Sequence, residues 1–173
     1  QVRAESGQAL ALDRFLDELV ERWRATRPGV QVEIRLAGAE PAPRIVAEQT
    51  LAQAITNILN NAADVSPHSV EIDGRWTNDE LVLEIADRGP GLAPELVGVA
   101  GQPFVADGIE ARAAGQGWPV CGLTTKSDGL GLGLFLAYTT FSRFGGEVRL
   151  LPRDGGGVLC RLTLPLAALK VTA

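Results

Sequence analysis

At 173 residues, 46% apolar and 21% charged, the chain is long enough for one domain with a real core and ordinary for a soluble globular protein. A net charge of −5 argues against a basic nucleic-acid surface, so any bound anion has to be met locally by backbone N–H groups, a metal and a few cations. Two cysteines, Cys121 and Cys160, and the lone His68 exclude a disulfide framework and a clustered Cys/His metal site.

That cysteine usage fits a reducing cytoplasm. No apolar run reaches the length needed to span a bilayer, and QVRAESGQAL does not read as a signal peptide, so no direct membrane contact is expected. Residues 1–11 read as a polar lead-in. From Leu12 to Trp23, Leu12, Phe15, Leu16, Leu19, Val20 and Trp23 recur at three- and four-residue steps, which predicts an amphipathic helix ended by Arg27-Pro28-Gly29. Val30, Val32, Ile34 and Leu36 then alternate with polar residues as in a half-buried strand.

A proline- and alanine-rich loop over 38–43 leads to a second helix predicted over 45–65. Leu51, Ile55, Ile58, Leu59 and Ala62 form its apolar stripe, and Ser66-Pro67 stops it. Strands follow over 69–76 and 80–86. Asp87-Arg88-Gly89-Pro90-Gly91 breaks the regular structure, and the glycine- and alanine-rich stretch 101–129 shows no period and reads as a loop. A helix over 132–144 ends at Gly145-Gly146, and a terminal hairpin pairs 147–151 with 158–164 across 154–157. The order predicts a two-layer α/β sandwich, helices on a mixed, mostly antiparallel sheet.

Three features carry chemistry. Asn57 and Asn61, four apart, stack on one flank of the second helix's apolar stripe. Asparagine is a mediocre helix former. An amide oxygen on Asn61, with Asn57 beside it, suits a hard cation such as Mg²⁺ that relies on substrate phosphates for its remaining ligands; a solvated helix face is the plain alternative. Asp87 at a strand end offers a carboxylate to an exocyclic amine such as that of adenine, with Gly89 and Gly91 permitting close approach, although an Asp-Gly turn after a strand is commonplace. Gly129, Gly131 and Gly133 open the 132–144 helix, where unpaired N–H groups and the helix dipole favour a phosphate. The spacing is neither the dinucleotide-binding pattern nor a P-loop, and a flexible hinge is the alternative.

In order and spacing these features resemble the ATP-binding catalytic domain of sensor histidine kinases, within the superfamily that includes gyrase, Hsp90 and MutL ATPases. Residues 49–62 match the N box, 87–91 the G1 box, Pro103-Phe104 the F box and 129–133 the G2 box. Thr124-Thr125-Lys126 matches a Thr-Thr-Lys often seen before the last box. The resemblance spans about 12–166. It implies a Bergerat-type fold with ATP and Mg²⁺ as cofactors: Asn61 on Mg²⁺, Asn57 beside the phosphates, Asp87 on the adenine amine, and Thr125, Lys126 and the G2 glycines around the phosphates, with Phe104 anchoring a lid. Gyrase-like members carry a glutamate base at the place of Asn57. An amide cannot abstract a proton, so the resemblance implies transfer to a protein nucleophile rather than hydrolysis, by positioning and charge stabilisation.

On that basis residues 1–11 are expected to be linker from an upstream dimerisation domain bearing the acceptor histidine, and 12–173 the catalytic domain with an extended lid at 105–128. A response regulator is the downstream partner, nucleic acid is not, and the location is the cytoplasmic part of a membrane-bound sensor. The chain departs from the family in two places. Asp64 stands where many members have a lysine or arginine, leaving Lys126 to supply the phosphate cation and act with Asn57 in catalysis. Residues 105–123 are inserted between the F box and Thr124.

His68, in a loop after Ser66-Pro67, is expected to be a surface residue and not the acceptor. Cys160 alternates with Val158, Leu162 and Leu164 and reads as a core residue. Cys121 lies in the long loop, and the boxes' look of redox-responsive sensor kinases makes it a candidate redox thiol. Trp118 and Pro119 read as a lid anchor or as ordinary loop packing. Other readings of the whole are a free-standing anti-sigma-type serine kinase and a nucleotide-binding module without chemistry.

Overall fold

The computed structural model describes residues 8–91 and 130–171. In chain order these form β1 (Ala9–Ala11), α1 (Leu12–Thr26), β2 (Gln31–Gly38), β3 (Arg44–Val46), α2 (Gln49–Val65), β4 (Ser69–Trp76), β5 (Glu80–Ala86), α3 (Leu130–Arg143), β6 (Glu147–Pro152) and β7 (Val158–Pro165). The main sheet has the order β2-β4-β5-β7-β6. Only β2 and β4 run parallel; the β4–β5, β5–β7 and β7–β6 pairs are antiparallel. This is the two-layer α/β sandwich with a mixed, mostly antiparallel sheet that the element order predicts.

Strand alternation decides which face the helices cover. Val70, Ile72, Leu81, Leu83, Ile85, Cys160, Leu162 and Leu164 point to one side and are all buried, under Phe15, Leu16, Leu19 and Val20 of α1 and Ile55, Ile58 and Leu59 of α2. Cys160 is fully buried, as its place in the alternation predicts. The opposite face is charged: Glu84 holds Arg75 and Arg161 across the sheet, and a cavity of about 280 Å³ there is lined by Glu33, Arg35, Glu71, Asp73 and Arg153, among others. Of the described helices, none is long and apolar enough to cross a membrane.

Three boundaries differ from the sequence reading. Ala9–Ala11, read as lead-in, form a strand paired with Arg44–Val46. Ile45 and Val46, read as the start of the second helix, are therefore strand residues. Their neighbourhood spends its N–H groups on distant partners: Val46 donates to the Leu169 carbonyl at 2.8 Å and Ala47 to the Gln8 carbonyl at 3.1 Å. With Ile45 fully buried, long-range pairing outweighs local helical preference here. Farther along, α3 begins at Leu130, two residues before the predicted start, so Gly131, read as preceding the helix, joins Gly133 in its first turn.

Candidate functional site

α2 carries a polar stripe beside its apolar one. Asn57, Asn61 and Asp64 follow one another at four and three residues, so they share a face. Asn61 is 3% exposed, unusual for an amide amid core residues. Asn57 is half-buried, and its Oδ1 accepts from Gln53 Nε2 at 3.0 Å. Asp64, the departure from the family pattern, pairs with Arg27 Nη2 at 2.8 Å. At the position where the family resemblance implies a cation, Asp64 thus holds the end of α1.

Asp87 directly follows β5 and is fully buried. Its Oδ1 accepts from the backbone N–H groups of Gly89 at 2.9 Å and Val158 at 3.1 Å. Its Oδ2 is buried and has no hydrogen-bond partner among the described residues. A buried acceptor left unmade is costly, so this oxygen is a ready place for an incoming N–H donor. Burial raises the carboxyl above the ordinary aspartate range, against the pull of those two N–H groups and of Arg153.

The segment after Asp87 is held from two sides. From α2, the Ser66 hydroxyl donates to the Ser69 carbonyl at 2.6 Å and accepts from the Arg88 N–H at 3.0 Å. A Cβ on Gly89 would lie 2.8 Å from Val65 Cγ2, so only glycine lets the chain press this closely on the end of α2. From the β6–β7 turn, Arg153 Nη1 donates to the Asp87 carbonyl at 2.9 Å while Nη2 pairs with Glu71. Arg88 Nη1 donates to the Asp154 carbonyl at 3.0 Å. Gly157, at φ +100°, lies with its Cα so near the Asp87 carbonyl that a Cβ would overlap it.

The fold thus brings together the end of α2 and the Asp87 segment, and packs α2 against α3, whose first turn holds Gly131 and Gly133. Phe104, Cys121, Thr125, Lys126 and Gly129 lie outside the described residues, as do the proposed lid over 105–128 and its Trp118 and Pro119. His68 is exposed, with its carbonyl accepting from Gln31 N–H at 3.2 Å. Sequence reasoning missed Ser66, Arg153 and the Val158 N–H. The Gly155-Gly156-Gly157 run was visible as a turn, but nothing local says that it rests on Asp87. Among the described residues, no group of three or more His, Cys, Asp or Glu side chains converges to hold a metal.

Residues 46–168 match the family model described as histidine kinase-, DNA gyrase B-, and HSP90-like ATPase. Sensor histidine kinase RegB of Cereibacter sphaeroides is 34% identical over 128 residues, covering 69% of this chain and 25% of RegB. The chain thus spans about a quarter of that relative's length. The solved mycobacterial sensor histidine kinase MprB superposes with a TM-score of 0.63 at 21% identity, over 95% of this chain and 100% of that one. Full-length ShkA, solved in complex with AMPPNP, gives 0.62 at 21% identity over 98% of this chain and 33% of its own. At such identities the two structures speak for the fold; the family match, spanning most of the sequence, says more. The chain belongs to the histidine kinase-, DNA gyrase B- and HSP90-like ATPases.

Proposed function

We propose that this domain binds Mg-ATP and delivers the γ-phosphate to a histidine on a dimerisation domain of the same kinase, from which an aspartate of a response regulator takes it. The observation that carries the nucleotide assignment is the buried, unpartnered Oδ2 of Asp87. An adenine 6-amino group donating there would satisfy it, while Gly89 keeps the chain low enough for a ring to approach. Asn61 and Asn57 offer neutral amide oxygens on one helix face. That donor set fits Mg²⁺ arriving with the phosphates, since Mg²⁺ prefers oxygen ligands and takes part of its shell from substrate.

Bound there, Mg²⁺ would neutralise charge developing on the β- and γ-phosphate oxygens. The chain's own residues bind and orient: Asp87 holds the base, Asn57 and Asn61 the phosphate side, and the first turn of α3, where Gly131 and Gly133 lie, faces the anion with its free N–H groups. By the family resemblance alone, Lys126, Thr125 and Gly129 would add phosphate contacts and Phe104 would anchor a lid. In the transfer an imidazole nitrogen of the acceptor forms the new P–N bond as the bond to the β–γ bridging oxygen breaks and ADP leaves. The attacking nitrogen uses its lone pair, and the proton on the other ring nitrogen leaves to solvent or to a group outside this chain, since the amide at position 57 cannot take it. The domain would work as the cytoplasmic part of a membrane-bound sensor.

The test uses the full chain with ATP in calorimetry, then with an added dimerisation domain and γ-labelled ATP. Magnesium-dependent uptake, lost in Asn61→Ala and Asp87→Ala, and label on histidine are expected. Undiminished uptake by both variants would refute the nucleotide assignment. Label on serine would select the anti-sigma-type reading.

A further inference from the structure

The C-terminal end of α1 and its cap are joined to α2 by two side-chain contacts. Trp23 Nε1 donates to Asn60 Oδ1 at 3.0 Å, and Arg27 Nη2 pairs with Asp64 Oδ1 at 2.8 Å. Asn60 and Asp64 are one turn apart on α2, while Trp23 lies in the last turn of α1 and Arg27 is the non-helical residue that caps it; higher number meets higher number, so the two segments run in the same direction at this contact. Asn60 and Asp64 bracket Asn61. The indole is 2% exposed, and Asp64 keeps 12% of its side-chain exposure, so neither contact is a loose surface pairing.

The apolar stripe of α2 alone fixes its roll incompletely. Burial of Ile55, Ile58, Leu59 and Ala62 is non-directional and tolerates small rotations and slides of the helix over its neighbours. A hydrogen bond and an ion pair are directional, and two of them a turn apart resist roll and slide together. Slipping either helix by one residue would break both at once.

We propose that Trp23 and Arg27 are positioning residues for the metal–phosphate side of the nucleotide site: by holding Asn60 and Asp64 they fix the roll of α2 and thereby the direction of the Asn61 amide. This rests on the assignment of Asn61 to the metal. Asp64, in place of a phosphate-side cation, then has a use of its own: it is the anchor for Arg27. The base side is held separately, by the β6–β7 turn and the end of β5, so the staple acts on one arm of the site only.

The experiment measures ATP affinity of the full chain by calorimetry with magnesium and with EDTA, alongside the melting temperature. Trp23→Phe keeps the ring packing and removes the donor; Arg27→Gln removes the charge. Each is expected to lower the ratio of the two affinities by about three- to tenfold, the scale of one directional contact, with the EDTA value changed less than about twofold. Arg27→Lys, which keeps the pair with Asp64, is expected to hold the ratio within about twofold of wild type. A lower melting temperature with the ratio unchanged, or equal losses with and without magnesium, would overturn the proposal and leave the staple purely structural. If Trp23→Phe does not fold, Arg27→Gln against Arg27→Lys decides alone. A wild-type chain whose affinity ignores magnesium would instead refute the assignment of Asn61, and this inference with it.

Discussion

The Val158 N–H reaches Asp87 Oδ1 at 3.1 Å, while the Asp87 N–H donates to the Val158 carbonyl at 2.9 Å, across 71 residues of chain. The last rung between the two central strands is therefore closed partly by a side chain. That leaves the Asp87 carbonyl to Arg153 and holds the carboxylate still with one oxygen spent and one unspent.

Burial of Asp87 costs stability wherever the carboxyl is ionised. Its carboxyl is raised from the ordinary 3.8, chiefly by burial. A raised acid favours the protonated form in the fold, so its contribution to stability is full below pH about 4 and is lost as pH rises through the raised value. Asp87→Asn cannot ionise and still accepts the two N–H groups. It is expected to melt higher than wild type at pH 7.5, with the gap closing toward pH 4 in a calorimetric series. The same variant offers an N–H where an acceptor was, and its ATP affinity should fall by about a hundredfold. Equal melting at both pH values would contradict the buried charge.

Arg153 favours the ionised carboxylate, though less strongly than the two N–H groups do. Removing it in Arg153→Ala raises the Asp87 carboxyl further, so protonation sets in at higher pH. If the ionised form receives the nucleotide, affinity fades as pH falls, and in the variant that fade begins at a higher pH. Kd for ATP measured from pH 8 to 5 is the check, with a loss of about five- to tenfold expected at neutral pH for a charge-assisted bond to a carbonyl. Superimposable profiles would mean that Arg153 has no hold on the site.

Gly156 and Gly157 share the same backbone demand, φ +102° and +100°, but not the same surroundings. Nothing lies within 4 Å of a Cβ on Gly156, whereas one on Gly157 would overlap the Asp87 carbonyl. Gly156→Ala should cost about 1 kcal/mol by conformational strain and leave ATP affinity alone. Gly157→Ala should cost about 3 kcal/mol or more and weaken ATP binding too, since something must move at Asp87. Urea unfolding and calorimetry on the pair separate strain from contact.

Cys160 is fully buried on β7, which pairs with β5 on one side and β6 on the other. Cys160→Ser should destabilise by about 1–3 kcal/mol, as a hydroxyl enters an apolar layer. Its thiol is expected to react with a maleimide only on unfolding. Labelling of Cys160 in the native chain at the rate of a free thiol would show that the layer opens.

Periodicity carried much of this fold. The steps of Leu12, Phe15, Leu16 and Leu19 and the alternation along 80–86 and 158–164 each place one face in the core, and the structure buries those faces. Where long-range pairing governs, local pattern failed: Ile45 and Val46 sit next to a helical pattern, yet their backbone groups go to β1 and to the Leu169 segment. The site divides in the same way. Asn57, Asn61, Asp87 and Gly89 announce themselves by spacing and by residue type. Ser66 and Arg153 do not, because a serine before a proline and an arginine in a turn are commonplace, and their use depends on strands 66 residues or more away in the case of Arg153. Trp23 read as one more apolar helix residue; only the fold shows its indole donating to Asn60.

Because β5 finds β7 far along the chain and their final rung includes the Asp87 carboxylate, occupancy of that carboxylate and closure of the central sheet are linked equilibria. A ligand at a hundred times its Kd would add about 2.7 kcal/mol to the folded state by mass action. That increment should appear as slower amide hydrogen exchange in the middle of both strands, well away from any atom the nucleotide touches.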